Sequence, residues 1–207
     1  MSAREDVLTR IREANAAAGS PSPVDVPRDY HRSGTLAAGS PELMELLVDR
    51  LVDYKATVLR AAPDEVPDAI ARGLSDAGVR GRVIVPPGLP DGWCPGGVPD
   101  EPGFTPYDLD GFDAVVTASA ATCAQTGTIA LDGSPDQGRR AITLVPDVHV
   151  CVVRADQVVE TVPELVGRLE ATRPTTFISG PSATSDIELE RVEGVHGPRN
   201  LIVVLVA

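Results

Sequence analysis

The chain of 207 residues is acidic, with 30 Asp and Glu against 18 Lys and Arg and a formal net charge of -12. Nucleic acid and anionic membranes attract proteins through clustered positive charge, so this balance disfavours both as primary partners. Hydrophobic residues make up 43% of the chain and charged residues 23%, which is typical of a globular domain and not of a disordered chain. The length is enough for one domain with a sizeable core.

Two scarce residue types exclude further classes of protein. Lys55 is the only lysine and precedes an alanine, so there is no Walker A loop, and a Schiff-base mechanism would have to use this side chain. The three cysteines form no C-x-x-C pair, which disfavours an iron–sulfur cluster or a four-ligand zinc site built from this chain alone. The sequence has no apolar run of membrane-spanning length and no secretory leader. We therefore expect a cytoplasmic protein with free thiols and no membrane span.

The beginning of the chain predicts a helix followed by an extended arm. Apolar residues recur at helical spacing within residues 2–17, and residues 19–39 are rich in proline, glycine and serine. Ser40 then stands before a proline and an acidic residue, a pattern typical of a helix start. We therefore divide the chain into an N-terminal helix and extended arm (1–39) and a single α/β domain (40–207).

From Ser40 onward, helix and strand patterns alternate, which indicates βαβ units and a parallel sheet. A long loop rich in proline and glycine, residues 86–111, interrupts the alternation. The last segment, residues 201–207, is apolar at every position, which is typical of a central strand buried on both faces. The predicted helices begin at Ser40, span 64–77, and begin at Asp156. The predicted strands span 56–61, 82–85, 113–117, 128–131, 141–144, 148–153, 175–179 and 201–207.

This order of elements predicts the α/β class. Short turns between the middle strands indicate an antiparallel hairpin beside the parallel strands. We expect a three-layer α/β/α sandwich with a mixed, mainly parallel sheet.

The first candidate site is the segment Gln125, Thr126, Gly127 and Thr128. Ligands in open α/β sheets collect where strands end, and such segments rich in glycine and hydroxyls are therefore informative. The glycine allows close backbone approach, and the hydroxyls and amides suit a carboxylate or phosphate. The alternative is a tight turn whose hydroxyls are bonded locally.

The second candidate site contains Ser179, Gly180, Ser182 and Ser185, and it leaves a strand to enter a predicted short helix. Ser185 and Glu188 fit a capping box, which is a sufficient structural reason for them. A helix start preceded by glycine and hydroxyls is also an anion-binding site, and the two interpretations are compatible.

Histidines supply the candidates for proton transfer. His196 lies in a constrained loop before the last strand, where it is a candidate acid or base, and Arg199 in the same loop is a candidate carboxylate clamp. The alternative is that His196 only satisfies loop carbonyls. His149 falls inside a predicted strand, where a structural role is favoured, and His31 is expected to be solvated. The histidine spacing matches no metal-binding pattern, so no metal site is predicted.

Four motifs in this order resemble the lactate utilisation protein C group of the LUD-domain family. They are Gln-Thr-Gly-Thr-Ile at 125–129, Pro-Asp-x-His at 146–149, Ser-Gly-Pro-Ser-Ala-x-Ser-Asp-Ile-Glu at 179–188, and Gly-Val-His-Gly-Pro-Arg at 194–199. The motif match covers about residues 110–207, and the first half agrees only in length and element order.

The resemblance implies a fold similar to the NagB/RpiA/CoA-transferase group and a role in oxidising L-lactate to pyruvate. It also implies two iron–sulfur partner proteins, which would carry the redox centres, so no cofactor is expected in this chain. This sequence has Gln125 where the family has a glutamate. An amide cannot act as a base or nucleophile, so Gln125 is expected to bind ligand and not to catalyse.

Three functional hypotheses remain open from the sequence. The first is a subunit of a lactate-oxidising system that binds a small carboxylate or a phosphorylated ligand. The second is a stand-alone enzyme of the same fold acting on a CoA ester, a sugar phosphate or a folate. The third is an assembly or regulatory module without chemistry of its own.

Overall fold

The computed structural model describes residues 2–19, 25–184, 192–193 and 197–207, in two compact units, Met1–His31 and Arg32–Ala207. The first unit contains helix α1 (Ala3–Ala18), which buries none of its residues. Its start is a capping box, because Ser2 Oγ accepts from the amide of Glu5 while the Ser2 amide donates to the Glu5 carboxylate. The domain boundary after residue 39 stays a prediction.

The second unit alternates helices and strands. Its helices are α2 (Pro41–Asp53), α3 (Val66–Asp76), α4 (Pro106–Leu109) and α5 (Val162–Gly167), with 3-10 helices at Arg140–Thr143 and Ala155–Gln157. Its strands are β1 (Thr57–Ala61), β2 (Val83–Val85), β3 (Val98–Pro99), β4 (Ala114–Ala118), β5 (Ala121–Cys123), β6 (Thr128–Leu131), β7 (Val148–Arg154), β8 (Val158–Val159), β9 (Thr176–Ile178), β10 (Ala183–Thr184), β11 (Val192–Glu193) and β12 (Asn200–Val206).

The main sheet has six strands in the order β1-β12-β7-β4-β2-β3, and its neighbours pair in parallel. A second sheet has the order β8-β5-β6-β9, in which β5 and β6 form an antiparallel hairpin and β9 continues the antiparallel pairing. Strands β10 and β11 pair with each other. The predicted fold class, an α/β sandwich with a mainly parallel sheet, is confirmed.

Helices and the second sheet cover the two faces of the main sheet. Helix α3 packs one face through Val66 and Ile70, while α2 and the second sheet pack the other. Ser40 caps α2 by accepting from the Leu43 amide at 3.3 Å, and the helix buries Leu43, Met44, Leu47 and Leu51. Strand β12 lies between β1 and β7 with Leu201–Val206 buried, so the sequence correctly predicts an interior strand.

Two predicted elements are wrong. Residues 141–144 were expected as a strand, but Arg140–Thr143 is a 3-10 helix, which Thr143 Oγ1 stabilises by donating to the Arg140 carbonyl at 3.1 Å. The helix expected from Asp156 begins only at Val162, where a proline occupies the first turn. Val158 and Val159 instead pair with β5, because a tertiary partner overrides their helical spacing.

In the part of the chain that the structure describes, no helix is both long and apolar enough to cross a membrane.

Candidate functional site

A pocket of about 230 Å³ opens at the amino ends of β7 and β12. His149 and Leu201, the second residues of these strands, form its floor and are register partners in the parallel pair. The 3-10 helix contributes Arg140 and Thr143 to one wall. We call this cavity the Arg140 pocket.

Another wall is the segment that follows β9, and it contains the predicted residues Ser179, Gly180 and Ser182. Gly180 has a φ of +82°, and a Cβ at this position would lie 2.7 Å from the Tyr54 carbonyl oxygen. Only glycine therefore fits between the pocket and the end of α2. The Ser182 amide donates to the Pro198 carbonyl at 2.8 Å, which joins this segment to the loop before β12.

The structure brings the other predicted segment against this wall. Thr126 Oγ1 donates to Thr128 Oγ1 at 2.8 Å, and Thr128 Oγ1 lies 2.8 Å from Ser179 Oγ. Gly127 is buried against Arg50 with a φ of +59°, and the side chain of Gln125 is exposed. The 125–128 segment is thus the tight β5–β6 turn, and it contacts Ser179 through Thr128.

The remaining predicted residues are placed elsewhere or lie outside the described residues. Arg199 pairs with Asp147, its Nε lying 2.6 Å from Asp147 Oδ1, so its charge already has a carboxylate partner. His196 and Ser185 lie outside the described residues, and the roles expected for them and for the short helix after Ser185 stay predictions.

Sequence reasoning missed Arg140 and Thr143. Arg140 Nη1 donates to Thr143 Oγ1 at 3.1 Å, and among the residues that the structure describes no carboxylate lies within ion-pair distance of this guanidinium. Its other N–H groups have no carboxylate acceptor among the described residues and are available in chemistry, as donors, to an anion. The pair of arginines after Gly138 was the available signal in the sequence. It does not stand out as part of a site when residues 141–144 are expected to form a strand.

Two neighbouring arginines, unlike Arg140, have carboxylate partners among the described residues. A second cavity of about 670 Å³ shares Arg140 and Thr143 with the first, and Arg139 and Arg173 also line it. Arg139 forms two hydrogen bonds of 2.8 Å with the Asp100 carboxylate, and Arg173 contacts Asp132 at 3.1 Å. Internal carboxylates compensate both charges, whereas Arg140 has no such partner among the residues that the structure describes.

His149 lines the pocket, although the sequence favoured a structural role for it. The residue is 1% exposed, and its Nε2 lies 2.8 Å from Thr117 Oγ1 on β4. Burial, and to a lesser degree the nearby charge of Arg140, lower the pKa of His149 to about 4. The imidazole is therefore neutral at physiological pH.

The chemistry of these groups is suited to a small anion. One guanidinium, the hydroxyls of Thr143, Ser179 and Ser182, and a neutral imidazole surround a volume suited to a small acid. Within the described ranges, no group of three or more His, Cys, Asp or Glu side chains is arranged to hold a metal ion.

The sequence profile of the LUD domain matches residues 3–206. The chain therefore belongs to the LUD-domain family, as its motifs predicted, and the match extends well beyond the second half of the chain.

The chain is also similar to individual proteins of known name and to one solved structure. The chain is 45% identical over 213 residues to lactate utilization protein C of Deinococcus radiodurans, covering 99% of this chain and 95% of that protein. It is 32% identical over 100 residues to lactate utilization protein C of Bacillus subtilis, covering 44% and 41%. A crystal structure of a DUF162 family protein from Deinococcus radiodurans matches with a TM-score of 0.71 and 42% identity, covering 84% of this chain and 100% of that one.

Proposed function

We propose that this chain is a subunit of a cytoplasmic system that oxidises L-lactate to pyruvate together with iron–sulfur partner proteins. Its own part is to bind a small carboxylate in the Arg140 pocket. The similarity to lactate utilization protein C of Deinococcus radiodurans, which extends over 99% of this chain, supports the lactate role.

The observation that carries the binding role is the position of Arg140. Its guanidinium faces a pocket lined by hydroxyls, and in the described part of the chain it has no carboxylate partner. A planar guanidinium matches a carboxylate through two parallel hydrogen bonds. The acid would lie with its carboxylate on Arg140 and its other end toward His149 and Ser179.

Oxidation of L-lactate to pyruvate removes two electrons and two protons, because one C–H bond at carbon 2 and the O–H bond of its hydroxyl are broken. In this proposal the iron–sulfur partner proteins, which the family resemblance implies, would accept the two electrons and solvent would accept the two protons, while this chain holds and orients the acid. Holding the reactant in one geometry is itself a large catalytic contribution.

Calorimetric titration of the purified full chain with L-lactate tests the binding role. We expect Arg140→Gln to weaken binding by about 10- to 100-fold, because a charge-assisted hydrogen bond contributes about 1.5–3 kcal/mol. Arg72→Gln, on the exposed side of α3, is the matched control and should bind as the wild type does. Equal affinity of Arg140→Gln and the wild type, or no binding by the wild type, would contradict the proposal.

The two other hypotheses predict different results. A stand-alone enzyme would turn over a CoA ester, a sugar phosphate or a folate without partners. An assembly module would keep both partner binding and lactate oxidation after Thr126→Ala and Ser182→Ala.

A further inference from the structure

We propose that His149, held in one tautomer by Thr117, makes the Arg140 pocket select 2-hydroxy carboxylates over the corresponding 2-oxo carboxylates. The inference rests on the proposed function, because it takes a carboxylate bound at Arg140 as its starting point. Thr117 acts through His149 and is a positioning residue, whereas His149 contacts the ligand.

A short chain of hydrogen bonds between β4 and β7 sets the tautomer. Thr117 and Cys151 are register partners, and both side chains are fully buried. The Cys151 thiol donates to the Ala118 carbonyl at 3.7 Å, and the Thr117 hydroxyl donates to Cys151 Sγ at 3.8 Å. Burial raises the pKa of Cys151 to about 12, so the thiol keeps the hydrogen that this direction requires.

The direction of this chain determines which nitrogen of His149 carries hydrogen. A hydroxyl has one hydrogen, and Thr117 uses it toward Cys151, so Thr117 Oγ1 must accept at its 2.8 Å contact with His149 Nε2. Nε2 is therefore protonated. The ring is neutral at physiological pH, so Nδ1 carries a lone pair and can only accept.

An acceptor-only nitrogen discriminates between an alcohol and a ketone. The 2-hydroxyl of lactate can donate to Nδ1 while its carboxylate lies on Arg140. The 2-oxo group of pyruvate has no hydrogen and would place oxygen lone pairs against the nitrogen lone pair. A site that needs a donor rejects an analogue without one, and here we expect at least about a 10-fold preference for the hydroxy acid.

The same contact favours release of the oxidised product. Conversion of the alcohol to a ketone removes the donor and leaves the carboxylate contact unchanged. The pocket would therefore hold the reactant more tightly than the product, without any movement of the protein.

Binding of L-lactate, pyruvate and propionate to the purified full chain at neutral pH tests the selectivity. We expect the wild type to prefer L-lactate to pyruvate by at least about 10-fold, with propionate, which lacks the 2-oxygen, between them. Thr117→Val keeps the shape and removes the hydroxyl, so it should lose the preference. Thr117→Ser restores the hydroxyl and should restore the preference.

Nitrogen NMR of the His149 ring gives a second readout, and its decisive measurement needs only the wild type. The wild type should show hydrogen on Nε2 and a bare Nδ1, and this state should be lost in Thr117→Val. Hydrogen on Nδ1 in the wild type would overturn the inference.

The results separate this inference from the proposed function. Binding of all three acids with equal affinity, with Arg140→Gln still defective, overturns the selectivity and leaves the carboxylate site intact. Failure of the wild type to bind any of the three acids overturns both.

Discussion

The charge of Arg140 affects the protonation of His149. The charge of Arg140 disfavours a second positive charge nearby, which adds to the effect of burial in lowering the pKa of His149. A carboxylate bound on Arg140 would offset part of that charge. Ligand binding should therefore raise the pKa of His149 toward its ordinary value, although burial would still keep it low.

The lowered pKa of His149 makes the stability of the protein depend on pH. Its pKa is about 4 in the folded protein and about 6.5 in an unfolded chain, so between these pH values the unfolded chain binds the proton and the folded chain does not. The contribution of His149 to the free energy of unfolding is fully present above the unfolded pKa. It is lost as the pH falls to about 4. We expect a loss of about 3 kcal/mol in the free energy of unfolding.

Urea unfolding of the wild type and His149→Gln measures this loss. Carboxylates such as Asp132 and Glu164, whose pKa values local hydrogen bonds lower despite partial burial, also reduce stability in acid. The informative quantity is therefore the difference between the two proteins. His149→Gln should lose less stability on acidification, and parallel losses in both proteins would contradict a buried neutral imidazole.

At the scale of elements, α2 supports the pocket wall. Its end lies against Gly180 through Tyr54, and its buried face fills the core beneath the second sheet. Leu47 is 0% exposed, so Leu47→Ala should lower the free energy of unfolding by about 2–5 kcal/mol. Denaturant unfolding checks this value.

The matched control for this prediction is Val52→Ala on the same helix. Val52 is 53% exposed, and the change should alter stability by less than about 0.5 kcal/mol. Similar effects of the two substitutions would mean that α2 is not packed on the sheet as described.

The elements that the sequence predicts well are those with a strong local pattern. Helix α2 has a capping serine, a proline in its first turn and a wide apolar face, and β12 is apolar throughout. Residues 141–144 are too few for a period to be read, and residues 158–159 take their conformation from β5. Local spacing contains neither kind of information.

The candidate site is predictable only in part for a similar reason. The hydroxyl-rich segments at 125–128 and 179–182 stand out in the sequence, and the structure joins them through Thr128 and Ser179. The functional meaning of Arg140 and His149 depends on the pairing of distant strands and on which carboxylates lie nearby. Those facts exist only in the folded chain.

At the scale of the whole molecule, the net charge of -12 and a local anion site are compatible. Salt screens exposed charges over about 8 Å at physiological ionic strength, so the acidic surface contributes little inside a pocket with its own guanidinium. The acidity disfavours large polyanions as partners. The local electrostatic potential that a small acid would meet in the pocket depends mainly on Arg140 and the surrounding hydroxyls.

Growth on L-lactate is the most direct test of the central claim that this chain serves lactate utilisation through the Arg140 pocket. A deletion strain without another lactate dehydrogenase should fail to grow on L-lactate as sole carbon source. The wild-type gene and Arg72→Gln should restore growth, and Arg140→Gln should not, at equal protein levels. Normal growth of the deletion strain, or full rescue by Arg140→Gln, would contradict the account.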